Sequence, residues 1–376
     1  MIGPFPGVRF SRRASLSRTL CPPYDVIPEP LAASLRKRGF NAIHVESPGG
    51  DYAEAKRTWE RWLRTGVLER DPKPAFYVVE ESFAFSGRSF TRIGFFCGLG
   101  LDPRSSSHVL AHERTLSKPK KDRTKLLRVM RVNVSPILGV YADPGRAVRR
   151  VLDSARRRTP TTSGRFQGVS IRLWKIDDDV SAAKLQGLFI DKDILIADGH
   201  HRYEVAKKHW ERVRKPGAAF TLACFVDEAD PGLVVLPTHR VLRSSPDLSP
   251  AVATSCRSLA RLERALERSA SPCAFGWSDG RTHRLMVPKK PAPHGFGTEW
   301  LAKHVLASVD PKDIVYVRGV AEASAEARRS GGVALLVRPF AVRDIREAVK
   351  RFGLLPQKST YFYPKVPTGL VFRESA

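Results

Sequence analysis

Apolar residues along this chain recur at two different spacings, and the two kinds of stretch alternate from one end to the other. Ala55, Trp59, Trp62 and Leu63 fall at helical spacing behind Asp51, which reads as an N-cap with Glu54 as its acidic partner, and Gly66 is an ordinary stop. Residues 76–80 and 90–97 are β-rich runs on either side of Ser86-Gly87-Arg88, which predicts a hairpin. A helix is expected around 123–131, strands at 137–141 and 169–174, and a basic helix near 146–157 between them. The segment 159–168, rich in Thr, Ser, Gly and Pro, predicts a loop. Residues 193–197 form a short apolar strand that Asp198-Gly199 breaks, and Tyr203, Ala206 and Trp210 then follow helical spacing. Strands at 220–226 and 233–236 come next, followed by helical patterns at 251–266, 320–329 and 342–352 and strands at 285–287, 314–317 and 333–337. The fold class that follows is α/β, with hairpins making an α+β mixed sheet rather than a purely parallel one.

A chain of 376 residues is long for one core, so two interlocked halves are expected, with the division placed at 1–165 and 166–376. A hydrophobic fraction of 42% and a charged fraction of 27% describe a folded protein rather than a disordered one. No apolar run approaches a membrane span, and Met1 to Pro6 lacks the basic-then-apolar order of a signal peptide, so a cytoplasmic location without a membrane partner is expected. Cys21, Cys97, Cys224, Cys256 and Cys273 are widely spaced and odd in number, which argues against a disulfide framework or structural zinc. A formal net charge of +26 favours anionic partners. The basic clusters, such as Arg36-Lys37-Arg38, are spread along the chain, so nucleic acid is a possible partner but not the favoured one.

The sharpest chemical signal is Ile196-Ala197-Asp198-Gly199-His200-His201-Arg202-Tyr203-Glu204. A strand that ends in Asp-Gly and opens into a helix leaves backbone N–H groups pointing outward, a ready anion site to which a glycine allows close approach. Arg202 offers bidentate hydrogen bonds to phosphate, His200 and His201 offer groups titrating near neutrality, and Asp198 is a candidate base, orienter or metal ligand. The bland alternative is that Asp198 caps the helix while both histidines are solvated. Four polar residues crowded behind a buried strand favour function, because open α/β sheets bind ligands at such strand ends.

A second constellation runs through His108, His112, Glu113, Arg114 and Thr115 to Lys118, Lys120, Lys121, Asp122 and Arg123. It lacks the second histidine of a His-Glu-x-x-His zinc site, and a basic loop and a phosphate-contacting role are equally open. Pro22-Pro23-Tyr24-Asp25-Val26, Pro237-Thr238-His239-Arg240 and the stretch from Pro356 through Lys358, Ser359 and Thr360 to Lys365 are rigid proline turns carrying polar side chains. Neither a P-loop nor Gly-x-Gly-x-x-Gly is present.

Taken together, these boxes resemble, end to end, an uncharacterised bacterial and archaeal family known by its Ile-Ala-Asp-Gly-His-His-Arg-Tyr-Glu motif. The match also includes Pro22 to Ile27, His112-Glu113-x-Thr115 with Asp122-Arg123, Asn133-x-Ser135-Pro136, Pro237 to Arg240, and Lys358 to Lys365 with Gly369-Leu370-Val371. That family resembles the ParB and sulfiredoxin superfamily, whose members bind nucleotide phosphates at a glycine turn opening a helix and include kinases of free serine. The resemblance implies that Gly199, His201 and Arg202 hold phosphate. The sulfiredoxin cysteine is missing, since His200 stands between Gly199 and His201, so reductase activity is not implied.

The expectation is therefore phosphoryl transfer to or from a small hydroxyl metabolite, serine or phosphoserine favoured, with ATP or ADP and Mg2+. Asp198, His200, His201 and Glu113 are the candidate catalytic residues, and Asp198 and Glu113 the candidate metal ligands. Gly199, Arg202, Arg240, Lys358, Ser359 and Thr360 are candidate phosphate or nucleotide contacts. Tyr24, Asp25, His112, Thr115, Arg123, His239 and Lys365 are expected to meet substrate or support these groups, with the 358–365 segment closing over the Gly199 turn. On this expectation Asp198→Asn lowers turnover and leaves the fold intact. The rivals are a nucleotide-responsive DNA-binding protein and a non-catalytic sensor, and the sequence sets no oligomeric state.

Overall fold

In the computed structural model, which describes residues 1–113, 117–290, 296–353 and 358–375, the hairpin at Ser86-Gly87 is the spine of the largest sheet. Phe76–Phe85 and Arg88–Gly100 pair antiparallel from Phe85↔Arg88 inward. Ser86 and Gly87 both take positive φ, 48° and 72°, as a two-residue turn matched to strand twist requires. On one side of this pair lie Val169–Ile176 and then Thr162–Phe166. On the other lie Phe220–Asp227, Ile137–Tyr141, Ile194–Asp198 and Val109–Leu110, and Ile2–Gly3 also pairs with Arg88–Gly100. The ladder is mixed: Phe220–Asp227 runs parallel to Ile137–Tyr141 and Ile194–Asp198 parallel to Val109–Leu110, and the other pairs are antiparallel. The sheet is open and does not close into a barrel.

The chain divides into two compact units that are not successive halves: Met1–Ala111, Thr115–Val234 and Pro364–Ala376 make the first, His112–Arg114 and Val235–Tyr363 the second. A linear boundary at 165 would cut through the large sheet, whose strands come from both sides of that residue. A further four-stranded sheet of the first unit, in the order Leu68–Arg70, Gly7–Phe10, Phe372–Glu374, Val132–Asn133, ties in the C-terminal segment. The second unit has its own six-stranded sheet, antiparallel throughout, in the order Ala251–Cys256, His283–Pro288, Phe275–Ser278, Val333–Leu336, His239–Leu242, Ile314–Val317. Leu262, Leu266, Ala323 and Ala327 from two helices pack with Ala334 and Leu336 of that sheet, and Phe275 and Trp300 stack in a second cluster of the same unit.

The helix predicted behind Asp51 is present as Tyr52–Arg64, with the Asp51 carboxylate accepting from Glu54 N–H. Two stretches differ from the sequence reading. The polar segment 159–168 contains the edge strand Thr162–Phe166, turned back by Gln167 and Gly168 at φ 46° and 81°; an edge strand bonds on one side only and tolerates residues that otherwise read as loop. Residues 251–266 are not one helix. Ala251–Cys256 pairs with His283–Pro288, and the helix begins only at Leu259, behind the Ser258 hydroxyl that accepts from Arg261 N–H.

Glycine at 139 allows Ile137–Tyr141 to lie close under its neighbours, because a Cβ there would stand 2.6 Å from the Phe225 ring and 2.8 Å from Ile194 Cγ2. Gly139→Ala is therefore expected to cost about 1–3 kcal/mol by overpacking. Gly145→Ala, with nothing within 4 Å of the added carbon, is expected to leave the urea midpoint where it is. Equal midpoints for the two variants would contradict this packing.

Candidate functional site

Ile194, Leu195, Ile196 and Ala197 are buried, and Asp198 emerges at the end of their strand. The register against Ile137–Tyr141 shifts between Ile196, opposite Gly139, and Asp198, opposite Leu138, so Ala197 is an extra residue. Such a bulge re-aims the side chain that follows it. Gly199 then takes φ 90° and ψ 28°, a left-handed conformation natural to glycine, and His200–Val213 starts directly from it. No side chain caps this helix through Gly199, and its first turn carries no acid.

One turn into the helix, Arg202 folds back over Gly199, so that a Cβ on residue 199 would lie 3.0 Å from the guanidinium carbon. Arg202 NH2 donates to Asp198 Oδ2 at 2.5 Å, its NH1 donates to the Pro136 carbonyl, and Lys365 Nζ donates to Asp198 Oδ1. All three side chains are largely buried. Burial alone would discourage the Asp198 charge; Lys365 first and Arg202 next outweigh it, with His200 adding to them, and hold this carboxyl well below the usual range.

Around this triad the first unit assembles further polar groups. Tyr24 N–H donates to Glu46 Oε1 at 3.0 Å, the Ser135 hydroxyl donates to the same oxygen at 2.9 Å, and Arg123 donates to the Glu46 carbonyl oxygen at 2.8 Å. The Arg123 guanidinium also lies 4.1 Å from the Tyr24 ring centre and bonds Asp122, which accepts from Tyr52. Glu46 is wholly buried, and burial pushes its carboxyl up against the opposing pull of Arg123 and Arg202. Glu46 Oε2 and Arg202 Nε have no partner among the described residues. Both residues line a cavity of about 40 Å³, room for ordered water between them. His201 is half-buried, and burial lowers its imidazole pKa, opposed by Asp25 and Glu204.

The structure thus brings Tyr24, Asp25, Arg123, Asp198, Gly199, His200, His201, Arg202 and Lys365 into the first unit. Glu46 is a member that sequence reasoning missed: a single acid following Ile43-His44-Val45 carries no local sign of its partners. Arg202 donates from both terminal nitrogens, to Asp198 and to the Pro136 carbonyl, and both Asp198 oxygens accept from cations. Among the described residues no group of three or more His, Cys, Asp or Glu side chains is placed to hold a metal ion.

His112, Glu113, His239, Arg240, Lys358, Ser359 and Thr360 belong to the second unit, and Thr115 lies outside the described residues. There, His112 Nε2 stands 3.0 Å from the Thr360 hydroxyl and 3.7 Å from Glu113 Oε1. Lys358 Nζ lies 4.6 Å from the Tyr316 ring centre, and the buried Arg240 faces the same ring at 5.8 Å. Burial lowers Arg240 to about 10, against the pull of Tyr316 and Glu113. His239 Nδ1 accepts from Val337 N–H at 3.2 Å, which makes it a neutral structural acceptor, and burial, then Arg240, push its pKa down to about 4.

The model of a family described as "Protein of unknown function (DUF1015)" matches residues 2–335. Comparison with curated proteins finds no match. Among solved structures, the chain is similar to a conserved hypothetical protein from Pyrococcus furiosus, at 15% identity over 74% of this chain and 94% of that one, with a TM-score of 0.38. It is also similar to a free serine kinase mutant in complex with ADP (13% identity, 73% and 91% covered, TM-score 0.41). A third similar structure is SbnI with a C-terminal truncation from Staphylococcus aureus (10%, 74% and 88%, TM-score 0.38).

Two outcomes are expected from this geometry. Asp198→Asn removes the charge between two buried cations and should destabilise the first unit by roughly 3 kcal/mol, read as a lower denaturant midpoint; an unchanged midpoint would contradict the triad. His239 must stay neutral to fold, so its contribution is fully present above its ordinary pKa of 6.5 and is lost as pH falls from there toward about 4. The loss should amount to about 1.4 kcal/mol per pH unit, and His239→Asn should flatten that slope in pH-dependent melting.

Proposed function

The chain belongs to the family described as Protein of unknown function (DUF1015), whose description assigns no activity, and on that premise we propose that it transfers phosphoryl groups to or from a small hydroxyl-bearing metabolite. The observation that carries this reading is the Gly199 turn. A residue at φ 90° opens a 14-residue helix with no side-chain cap and no acid in its first turn, directly behind a buried strand. The positive end of the helix dipole and the lack of a Cβ favour an anion there.

Asp198 acts in this scheme as a positioning residue. It fixes Arg202 and Lys365 beside the turn, so that two cations are held in place before any phosphate arrives. His201, whose partly buried position lowers its imidazole pKa, accepts the hydroxyl proton of the acceptor, and the nearby Asp25 favours the imidazolium that results. ATP or ADP is the proposed phosphate source. Serine or phosphoserine is the proposed partner, on the resemblance of the family to a superfamily that includes kinases of free serine. Among the described residues, Asp198, the carboxylate at this turn, already accepts from two cations and is a poor fit for magnesium as it stands.

The test is a thermal-shift series with ATP, ADP, AMP and phosphoserine, followed by a coupled assay of serine with ATP or ADP and of phosphoserine alone. A phosphorylated ligand should raise the melting temperature of the wild type. Gly199→Ala, strained at φ 90° and crowding Arg202, should abolish that shift. His201→Ala should weaken binding roughly ten- to a hundredfold if it also meets phosphate, and should abolish turnover. Unchanged ligand shifts in a folded Gly199→Ala variant would refute phosphate binding at the turn. Full turnover in His201→Ala would refute the proton transfer alone.

A further inference from the structure

We infer that the second unit carries a separate groove for the sugar-phosphate backbone of nucleic acid, formed by Arg261, Arg264 and Arg268 of the helix Leu259–Arg268 and by Arg257 just before it. The groove has a volume of about 750 Å³, and Ser255, Cys256 and Ala265 complete its lining.

Arg261, Arg264 and Arg268 follow one another at intervals of three and four residues on the helix, so at helical periodicity they share a stripe about 60° wide, and Arg257, two residues before the helix begins, lines the same groove. That stripe is turned away from Leu262 and Leu266, which are buried. Glu263 and Glu267 fall outside it, and among the described residues no acid lines the groove. None of the four guanidinium groups has a hydrogen-bond or ion-pair partner among the described residues. Several arginines elsewhere are paired instead: Arg9 with Asp71, Arg92 with Glu81, and both Arg156 and Arg172 with Glu80. A stripe of like charges that repel one another and have no counter-charge is complementary to a row of anions.

The spacing favours a nucleic-acid backbone over an isolated anion. From Arg261 to Arg268 is a rise of roughly 10 Å at 1.5 Å per residue, with Arg257 beyond the helix start, and one strand of duplex DNA presents a phosphate about every 3.4 Å along its axis. Four forked guanidinium groups can therefore each meet a phosphate of the same strand. No aromatic side chain lines the groove, so it has no stacking platform for bases and binding should be indifferent to sequence.

Cys256 supplies a reporter, because it lies in the groove and is the cysteine that is not buried; Cys21, Cys97, Cys224 and Cys273 are. The experiment measures binding of the full chain to a short DNA duplex across a salt series. It compares wild type, the R257Q/R261Q/R264Q/R268Q variant and a control with the exposed Arg12, Arg13, Arg18 and Arg64 changed to Gln. The groove variant should lose about 3.6 from the slope of log affinity against log salt, at 0.9 per phosphate contact, and the control much less. In the wild type, DNA should slow alkylation of Cys256 by iodoacetamide, a neutral reagent, which reads the groove even if the quadruple variant folds poorly. Equal slopes for the two variants, or Cys256 alkylation unaffected by bound DNA, would overturn the proposal. Protection by inorganic polyphosphate but not by DNA would do so as well.

Discussion

The polar centre of the first unit depends on one buried carboxylate. Asp198 is held by Lys365, 167 residues further along the chain, and by Arg202, one helical turn away. Two buried cations and one buried anion are expensive to desolvate, and hydrophobic residues of equal volume would serve stability as well or better. What the arrangement provides is position. With Asp198 in place, Arg202 is pulled back over Gly199 and onto the Pro136 carbonyl, and the C-terminal segment is tied to the strand-to-helix turn.

Two local irregularities and one long-range sheet make that possible, and each has a separate cause. The extra residue at Ala197 rotates Asp198 out of the strand's alternation. The left-handed Gly199 reverses the chain without a Cβ where the guanidinium must lie. The sheet made with Phe372–Glu374 brings the C-terminal segment back to the first unit. Nearby, the same burial that Asp198 overcomes dominates at Glu46, whose carboxyl is pushed up although it faces Arg123 and Arg202. Two carboxylates in one unit are thus driven in opposite directions, a pattern that gives one site both an ionised and a more readily protonated acid.

The parts of this design legible in the sequence are those that short-range periodicity encodes. The strand, the Asp-Gly break and the helix behind it could be read directly from residues 193–210, and the hairpin at Ser86-Gly87 from its turn chemistry. What was not legible was where the charges would go. Arg202 beside a glycine turn reads as a phosphate ligand, and nothing local says that its terminal nitrogens belong to Asp198 and Pro136. Lys365 was expected near the site without its partner, and Glu46 was not expected there at all. The edge strand Thr162–Phe166 was hidden for a different reason: its polar composition matches a loop, and only the ladder with Val169–Ile176 makes it a strand. Pairings that join distant segments leave no mark on the spacing of nearby residues.

The net charge of +26 takes on a different meaning once its arginines are sorted by partner. Arg9 and Arg92 each make two hydrogen bonds to one carboxylate, Arg123 and Arg149 join networks of acids, and Arg202 and Arg373 reach backbone carbonyls. These arginines are part of the fold, and their charge is largely answered where it stands. The field that a solution partner meets comes instead from arginines with no internal acid. Such residues on one exposed helical stripe are governed by different physics from the buried ones: their mutual repulsion is relieved by an external anion or by salt, whereas the Asp198 triad is shielded from both. Arginine in this chain therefore does two jobs, and burial, rather than residue type or local charge density, separates them.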